Sequence, residues 1–139
     1  MAQKIPIFES TVASATGIAH MRFGREGEAL TCFSRALECT EQLVFLRLHV
    51  ELWAAVAEAG LGRVDDAEAR LARVCKMLPA IPGLVCQYEL SQAMVALCRS
   101  SSSGRDASEV LGKWQTPVGD VTNHILRHLL QQKSDQLEQ

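Results

Sequence analysis

Two histidines near the C-terminal end, His124 and His128, are four residues apart and would share one face of a helix. Imidazoles at this spacing can hold a metal ion such as zinc, which needs at least one further protein ligand. The alternative is that the pair forms the polar flank of a C-terminal helix. We favour the second interpretation and predict neither a metal site nor a cofactor.

Nucleophilic catalysis would need a base, and five cysteines could each be combined with His20 or His49. No motif selects such a pair, and the G-x-S-x-G, P-loop and Rossmann glycine patterns do not occur. The paired carboxylates Asp65 and Asp66 stand at a predicted helix start, where unpaired amides and the helix dipole favour acidic residues. We therefore predict that the chain is not an enzyme.

Composition and charge narrow the class of protein. The 139 residues are 47% hydrophobic, 22% charged and 5% aromatic, with a net charge of −2. This balance is typical of one globular domain and excludes an intrinsically disordered chain. No basic stripe is present, so we predict no nucleic-acid partner.

The cysteines and the apolar segments indicate the cellular compartment of the protein. The five cysteines are odd in number and contain no C-x-x-C pair, which favours a reducing compartment. The first residues, MAQKIPIFES, lack an apolar core followed by a cleavage site. No apolar run reaches the roughly 18–20 residues of a membrane span. We expect a cytoplasmic or nuclear protein.

Positioning these residues requires helices, because apolar residues recur at three- and four-residue spacing. Residues 1–9 are predicted to be extended, since Pro6 disfavours helical angles at Ile5. The last helix is predicted from about Val121, with a frayed tail, QQKSDQLEQ. Two such stripes are Val12, Ala15, Ile18, Ala19 and Phe23 in the first helix, and Val121, Ile125, Leu129 and Leu130 in the last.

The segment VFLRLHV, residues 44–50, has two interpretations. Alternating apolar residues from Val44 would suit a strand. The stripe Leu43, Leu46, Val50, Trp53, Ala54 and Ala57 would suit a helix. We predict a helix, because a 17-residue strand would be unusually long.

An internal repeat organises the chain. The stretch FGREGEALTCFSRALE, residues 23–38, returns as LGRVDDAEARLARVCK, residues 61–76, and the turn glycines Gly24 and Gly62 are 38 residues apart. Such a period indicates stacked supersecondary units. The glycine ends one helix, the acidic residue starts the next, and the small–large–small order of Ala29, Phe33 and Ala36 packs a helical hairpin.

The repeat resembles the tetratricopeptide repeat family. Gly24, Ala29, Phe33 and Ala36 match its turn glycine, alanine, aromatic and alanine. The other matches are Gly17 in the first unit and Ala55, Gly62, Ala67, Leu71 and Pro79 in the second. Four positions depart from the family's tryptophan and tyrosine, namely Ala13, His20, Glu51 and Glu58, and Val74 replaces the last alanine.

The resemblance implies an all-α array of antiparallel helical hairpins, a TPR-like α-solenoid, with a C-terminal capping helix. The predicted units are 10–41, 42–79 and, more weakly matched, 84–116, with loop 99–106 inside the last. Residues 117–139 hold the cap and its tail.

Family members bind peptides or partner helices in a groove lined by the first helix of each pair. Carried over, the groove includes Ile18, Met21, Arg22, Leu52 and Val56, whose largely apolar character argues against a carboxylate clamp and suits an apolar or amphipathic helical segment. The alternative is that these residues pack against the next helix or the chain's own last helix. Trp114 is a further candidate interface anchor.

We therefore predict a non-catalytic adaptor or scaffold subunit that binds another protein through this groove. The alternative is a self-associating structural protein that uses the same repeats to form homo-oligomers.

Overall fold

A computed structural model describes residues 6–38, 44–99, 105–114 and 121–137. These residues form helices and no strand, as the sequence predicts. The helices are α1 Pro6–Arg22, α2 Glu26–Glu38, α3 Val44–Gly60, α4 Val64–Met77, α5 Val85–Cys98, α6 Arg105–Lys113 and α7 Val121–Leu137. Two short 3₁₀ turns, Leu78–Ala80 and Pro82–Leu84, join α4 to α5. Within this part of the chain no helix has both the length and the apolar character to cross a bilayer.

The 38-residue period extends to a third unit. Helices α1, α3 and α5 end at Arg22, Gly60 and Cys98, each 38 residues after the one before. Each packs against the helix that follows it, so the pairs α1–α2, α3–α4 and α5–α6 are three helical hairpins. The third connection is longer than the other two and falls within the predicted loop 99–106, of which residues 100–104 lie outside the described residues.

The first two turns repeat in backbone detail. Gly24 and Gly62 have φ angles of 72° and 86°. In each turn the amide three residues beyond the last helical residue donates back into the helix: Arg25 N–H donates to the His20 carbonyl and Arg63 N–H to the Glu58 carbonyl, both at 2.9 Å. This is the Schellman arrangement, in which a left-handed glycine lets the last carbonyls of a helix find donors.

Replacing either turn glycine by alanine is expected to lower the free energy of unfolding by about 1–2 kcal/mol, with similar effects at the two sites. No atom would crowd the new methyl group at either glycine, so the cost is that of the left-handed backbone alone. Gly27 supplies the control, because it too has open space around it but lies inside α2.

The Gly27→Ala change is expected to stabilise the protein slightly, as alanine does in a helix. Urea unfolding of the three variants measures these differences. Equal effects of Gly24→Ala and Gly27→Ala would contradict the assignment.

The core confirms the small–large–small pattern. Phe33 is fully buried between Ala29 and Ala36, and its ring stacks on Trp53 with centroids 6.2 Å apart. Gly17 allows this, because a Cβ there would lie 2.5 Å from the Phe33 ring. In the second unit Leu71 is buried in a separate cluster between α3, α4 and α5, with Ala67 and Val74 beside it.

The predicted helix over VFLRLHV is confirmed, since α3 spans Val44–Gly60 and is buried from Val50 to Ala59. Two acidic residues of α3 share this burial. Glu58 accepts a 2.5 Å hydrogen bond from Arg70 Nε of α4, and the Glu51 carboxylate lies 3.7 Å from another nitrogen of the same guanidinium. The Arg70 guanidinium is therefore within ion-pair distance of two buried carboxylates.

Both ends of the chain differ from the predicted boundaries. Residues 6–9 are helical rather than extended, because proline is well suited to the first turn of a helix, where its missing N–H is not needed. Residues 1–5 lie outside the described residues. Residues 131–137 continue α7 instead of fraying: Ser134 is buried, and Gln131 hydrogen-bonds Asp135 one turn on, at 2.9 Å.

Candidate functional site

The face on which we predict a partner groove is covered by the chain's own last helix. α7 packs against α5 and α6 and reaches α1. Its fully buried residues Leu126 and Leu130 belong to the same core cluster as Ile18, Met21 and Val56. Leu126 is not part of the apolar stripe noted in the sequence of the last helix. Ile125 and Leu129, which belong to that stripe, are only partly buried.

The predicted groove residues therefore have different environments. Ile18, Met21 and Val56 are buried where α1 and α3 face the α5–α7 side of the core. Leu52 is completely buried in the other cluster, against α4 and α5. Arg22 is exposed. In this conformation the four apolar residues are part of the core and are not available to a partner.

A small opening remains at the end of the covered groove, near the first two turns. This turn-end cleft, of about 200 Å³, has Met21, Val56, Met94 and Leu129 among its lining residues, with Arg22 and Lys133 beside them. The Cys98 thiol also lines it, and burial raises the pKa of that thiol, with Lys133 acting in the opposite direction. A thiol with a raised pKa stays protonated at neutral pH and is a poor nucleophile.

The two candidate metal ligands line a second cleft, of about 440 Å³, between α1 and α7. His124 and His128 are both exposed there and share the cleft with Arg22. A permanently charged guanidinium is an unfavourable neighbour for a cation. Among the described residues no three histidine, cysteine or acidic side chains come together as a metal-binding group.

Trp114 connects the end of α6 to α5 and α7 through hydrogen bonds. Its indole N–H donates to Glu89 Oε2 of α5 at 3.2 Å, and Lys113 lies over its ring, 5.3 Å from the centroid. Arg127 of α7 donates to the carbonyls of Trp114 and Leu111, at 3.0 and 3.2 Å. Trp114, which we predict as an interface anchor, therefore makes contacts within the chain, at the C-terminal end of the array.

The opposite end of the array is open. On α1, Val12 is 50% exposed and Phe23, in the turn, is 74% exposed. Ala15, Thr16 and Ala19 lie between them on the same face and are exposed too. We call this surface, formed by Val12, Ala15, Thr16, Ala19 and Phe23, the N-terminal edge.

The repeat shows what the N-terminal edge lacks. One period later, four of its positions are occupied by Val50, Trp53, Ala54 and Ala57, and all four are fully buried. α2 packs against α3 and covers that face, with Phe33 stacked on Trp53. α1 has the corresponding face, but no described helix precedes α1 in the chain to cover it.

The sequence indicates this surface, because Val12, Ala15, Ala19 and Phe23 form part of an apolar stripe at helical spacing. The structure shows that these four residues are exposed. α1 has a second apolar face, formed by Ala13, Ile18 and Met21, and that face is the buried one. A helix that is apolar on two faces, at the start of an array, is the pattern that would have located the surface.

The remaining ionisable groups fit structural roles. Asp65 accepts a hydrogen bond from Arg99 at 2.8 Å across the α4–α5 contact. Burial and the neighbouring Cys75 thiol raise the pKa of Tyr88 to about 12. His49 Nδ1 lies 2.8 Å from Gln87 Oε1, and the Gln87 amide donates to the His49 carbonyl at 2.9 Å, which ties α3 to α5.

No family model, curated protein or solved structure matches this chain.

Proposed function

We propose that the chain is a non-catalytic adaptor or scaffold subunit whose N-terminal edge binds an amphipathic helix. The observation that carries this proposal is the contrast between two copies of one surface. Val50, Trp53, Ala54 and Ala57 of α3 are fully buried in a cluster that includes Ala29, Phe33 and Ala36 of α2, while their counterparts on α1 are exposed.

The geometry of the repeat supports a helix as the bound element. α2 covers the corresponding face of α3, so a helix placed one period earlier would meet the N-terminal edge in the same way. The small side chains of Ala15, Thr16 and Ala19 allow close approach of a second helix. Phe23 and Val12 stand at the two ends of the stripe as larger apolar contacts.

This places the interaction on a different surface from the groove inferred from the sequence. Ile18, Met21 and Val56 share a core cluster with α7, and Leu52 is buried against α4 and α5, so a partner could reach these residues only after helices of the chain itself had moved. The tetratricopeptide resemblance remains part of the proposal, supported by the 38-residue period and the two equivalent glycine turns. The free thiols of Cys32, Cys75 and Cys98 support a reducing location, cytoplasmic or nuclear.

A library of helical peptides with varied apolar stripes, displayed on phage, tests the proposal when it is selected against the dilute, immobilised chain. Selected peptides should carry one apolar face. Their binding should fall at least about tenfold, or 1.4 kcal/mol, in the Ala19→Glu variant, because the new carboxylate would be buried at the contact.

The matched control is Ala69→Glu, the same change at an exposed position within α4, which should leave binding unchanged. Failure to select any peptide, or equal binding to the two variants, would remove the N-terminal edge as a helix-binding surface.

A further inference from the structure

We infer that the helix bound at the N-terminal edge is α1 of a second copy of this chain, packed antiparallel about a two-fold axis. The inference rests on the proposed function and names the partner for that surface. It makes the protein a symmetric dimer with the third hairpin and α7 of each copy at its outer ends.

The first reason is that the two ends of the array differ. The N-terminal edge is apolar and uncovered, whereas the far end is closed by α7 through the hydrogen bonds of Arg127 to the end of α6. Among the α7 side chains that the structure describes, the exposed ones are polar: His124, His128, Gln131, Gln132, Asp135 and Gln136. A head-to-tail contact would place these polar groups against the apolar edge, so an open filament is disfavoured and a closed, isologous pair is favoured.

The second reason is that the stripe is self-complementary. In an antiparallel pair of helices, each residue meets the partner residue that lies equally far from the centre. With the centre at Gly17, Ala15 of one copy faces Ala19 of the other, and Val12 and Phe23, five and six residues from the centre, come within one residue of facing each other. Small residues therefore meet at the middle, where the helices are closest, and the larger side chains meet at both ends.

The third reason is the charge at the ends of the stripe. Arg22 and Arg25 stand at its C-terminal end, and the Arg25 guanidinium lies 5.8 Å from the centre of the Phe23 ring. At its N-terminal end Glu9 is paired with Arg35 at 3.2 Å. Parallel packing would bring the Arg22 and Arg25 side chains of both copies together, whereas antiparallel packing keeps them apart and also aligns the helix dipoles favourably.

The contact comprises one helical face and one turn from each copy, which places it at the small end of specific interfaces. We therefore expect a reversible dimer with a dissociation constant in the micromolar range. A small buried area leaves little net binding free energy once the entropy cost of association is offset.

Sedimentation equilibrium of the full chain, from low micromolar to submillimolar concentration, tests the inference. The wild-type chain should pass from monomer to dimer without larger species. Ala15→Glu and Ala19→Glu should each raise the dissociation constant at least about tenfold, and Ala69→Glu should not change it. The substituted positions are exposed in the monomer. The circular dichroism spectra and thermal unfolding of the dilute variants should therefore match those of the wild-type monomer.

The outcomes separate this inference from the proposed function. A wild-type chain that stays monomeric, or a dimer unaffected by both edge substitutions, overturns the second copy as the occupant. If such a chain still selects helical peptides that Ala19→Glu rejects, the N-terminal edge keeps its function with a different protein as partner. If it selects none, the proposed function fails as well.

Discussion

Replacing Phe33 by alanine is expected to lower the free energy of unfolding by about 3–5 kcal/mol, a large part of the stability of a domain of this size. The side chain is fully buried, stacks on Trp53 and lies against Gly17. Its removal leaves a cavity at the point where α1, α2 and α3 meet, and the backbone around Gly17 offers no side chain to fill it.

Phe23→Ala is the matched control, because it removes the same group from a side chain that is 74% exposed. Its cost should stay within about 0.5 kcal/mol. Urea unfolding of the dilute monomers, followed by circular dichroism, gives both values. Similar losses for the two variants would show that Phe33 is not the centre of the first hairpin.

Arg70→Leu is expected to destabilise the protein by about 3–5 kcal/mol, because it leaves two buried carboxylates without their shared cation. Glu51 and Glu58 are each less than a tenth exposed, and both lie within 4 Å of the Arg70 guanidinium. The cost of such a change comes from the charges left behind more than from the attraction lost.

Arg73→Leu, at an exposed position one turn further along α4, is the control and should change stability by no more than about 0.5 kcal/mol. Adding Glu58→Gln to Arg70→Leu should recover part of the loss, since it removes one of the stranded charges. Chemical unfolding of the wild type and these three variants measures the differences. A double variant less stable than Arg70→Leu alone would mean that packing, and not charge, explains the effect.

These two acidic residues also account for a departure from the repeat pattern. Glu51 and Glu58 occupy the places in which the tetratricopeptide resemblance predicts tryptophan and tyrosine. The second hairpin instead joins its two helices through a buried ion pair with Arg70. In the first hairpin the corresponding places hold Ala13 and His20, and the large aromatic contact is supplied by Phe33 and Trp53.

The local architecture follows from residues that are close together in the sequence. Gly24 and Gly62 predict the two left-handed turns, and the order of small and large residues around Phe33 predicts its burial. Both are confirmed because they depend on residues within one hairpin, where backbone preference and helix periodicity act over a few turns. The same short-range rules predicted α3 as a helix in place of a strand.

Which apolar faces are covered depends on contacts between helices that are far apart in the sequence. Periodicity shows that a helix has an apolar face but does not identify the element that packs on it. Residues about a hundred positions apart meet where Leu126 and Leu130 of α7 share a core with Ile18 and Met21 of α1. The apolar residues predicted to form a partner groove are therefore buried within the chain, while Val12, Ala15, Ala19 and Phe23 stay exposed, with no described helix before α1 to cover them.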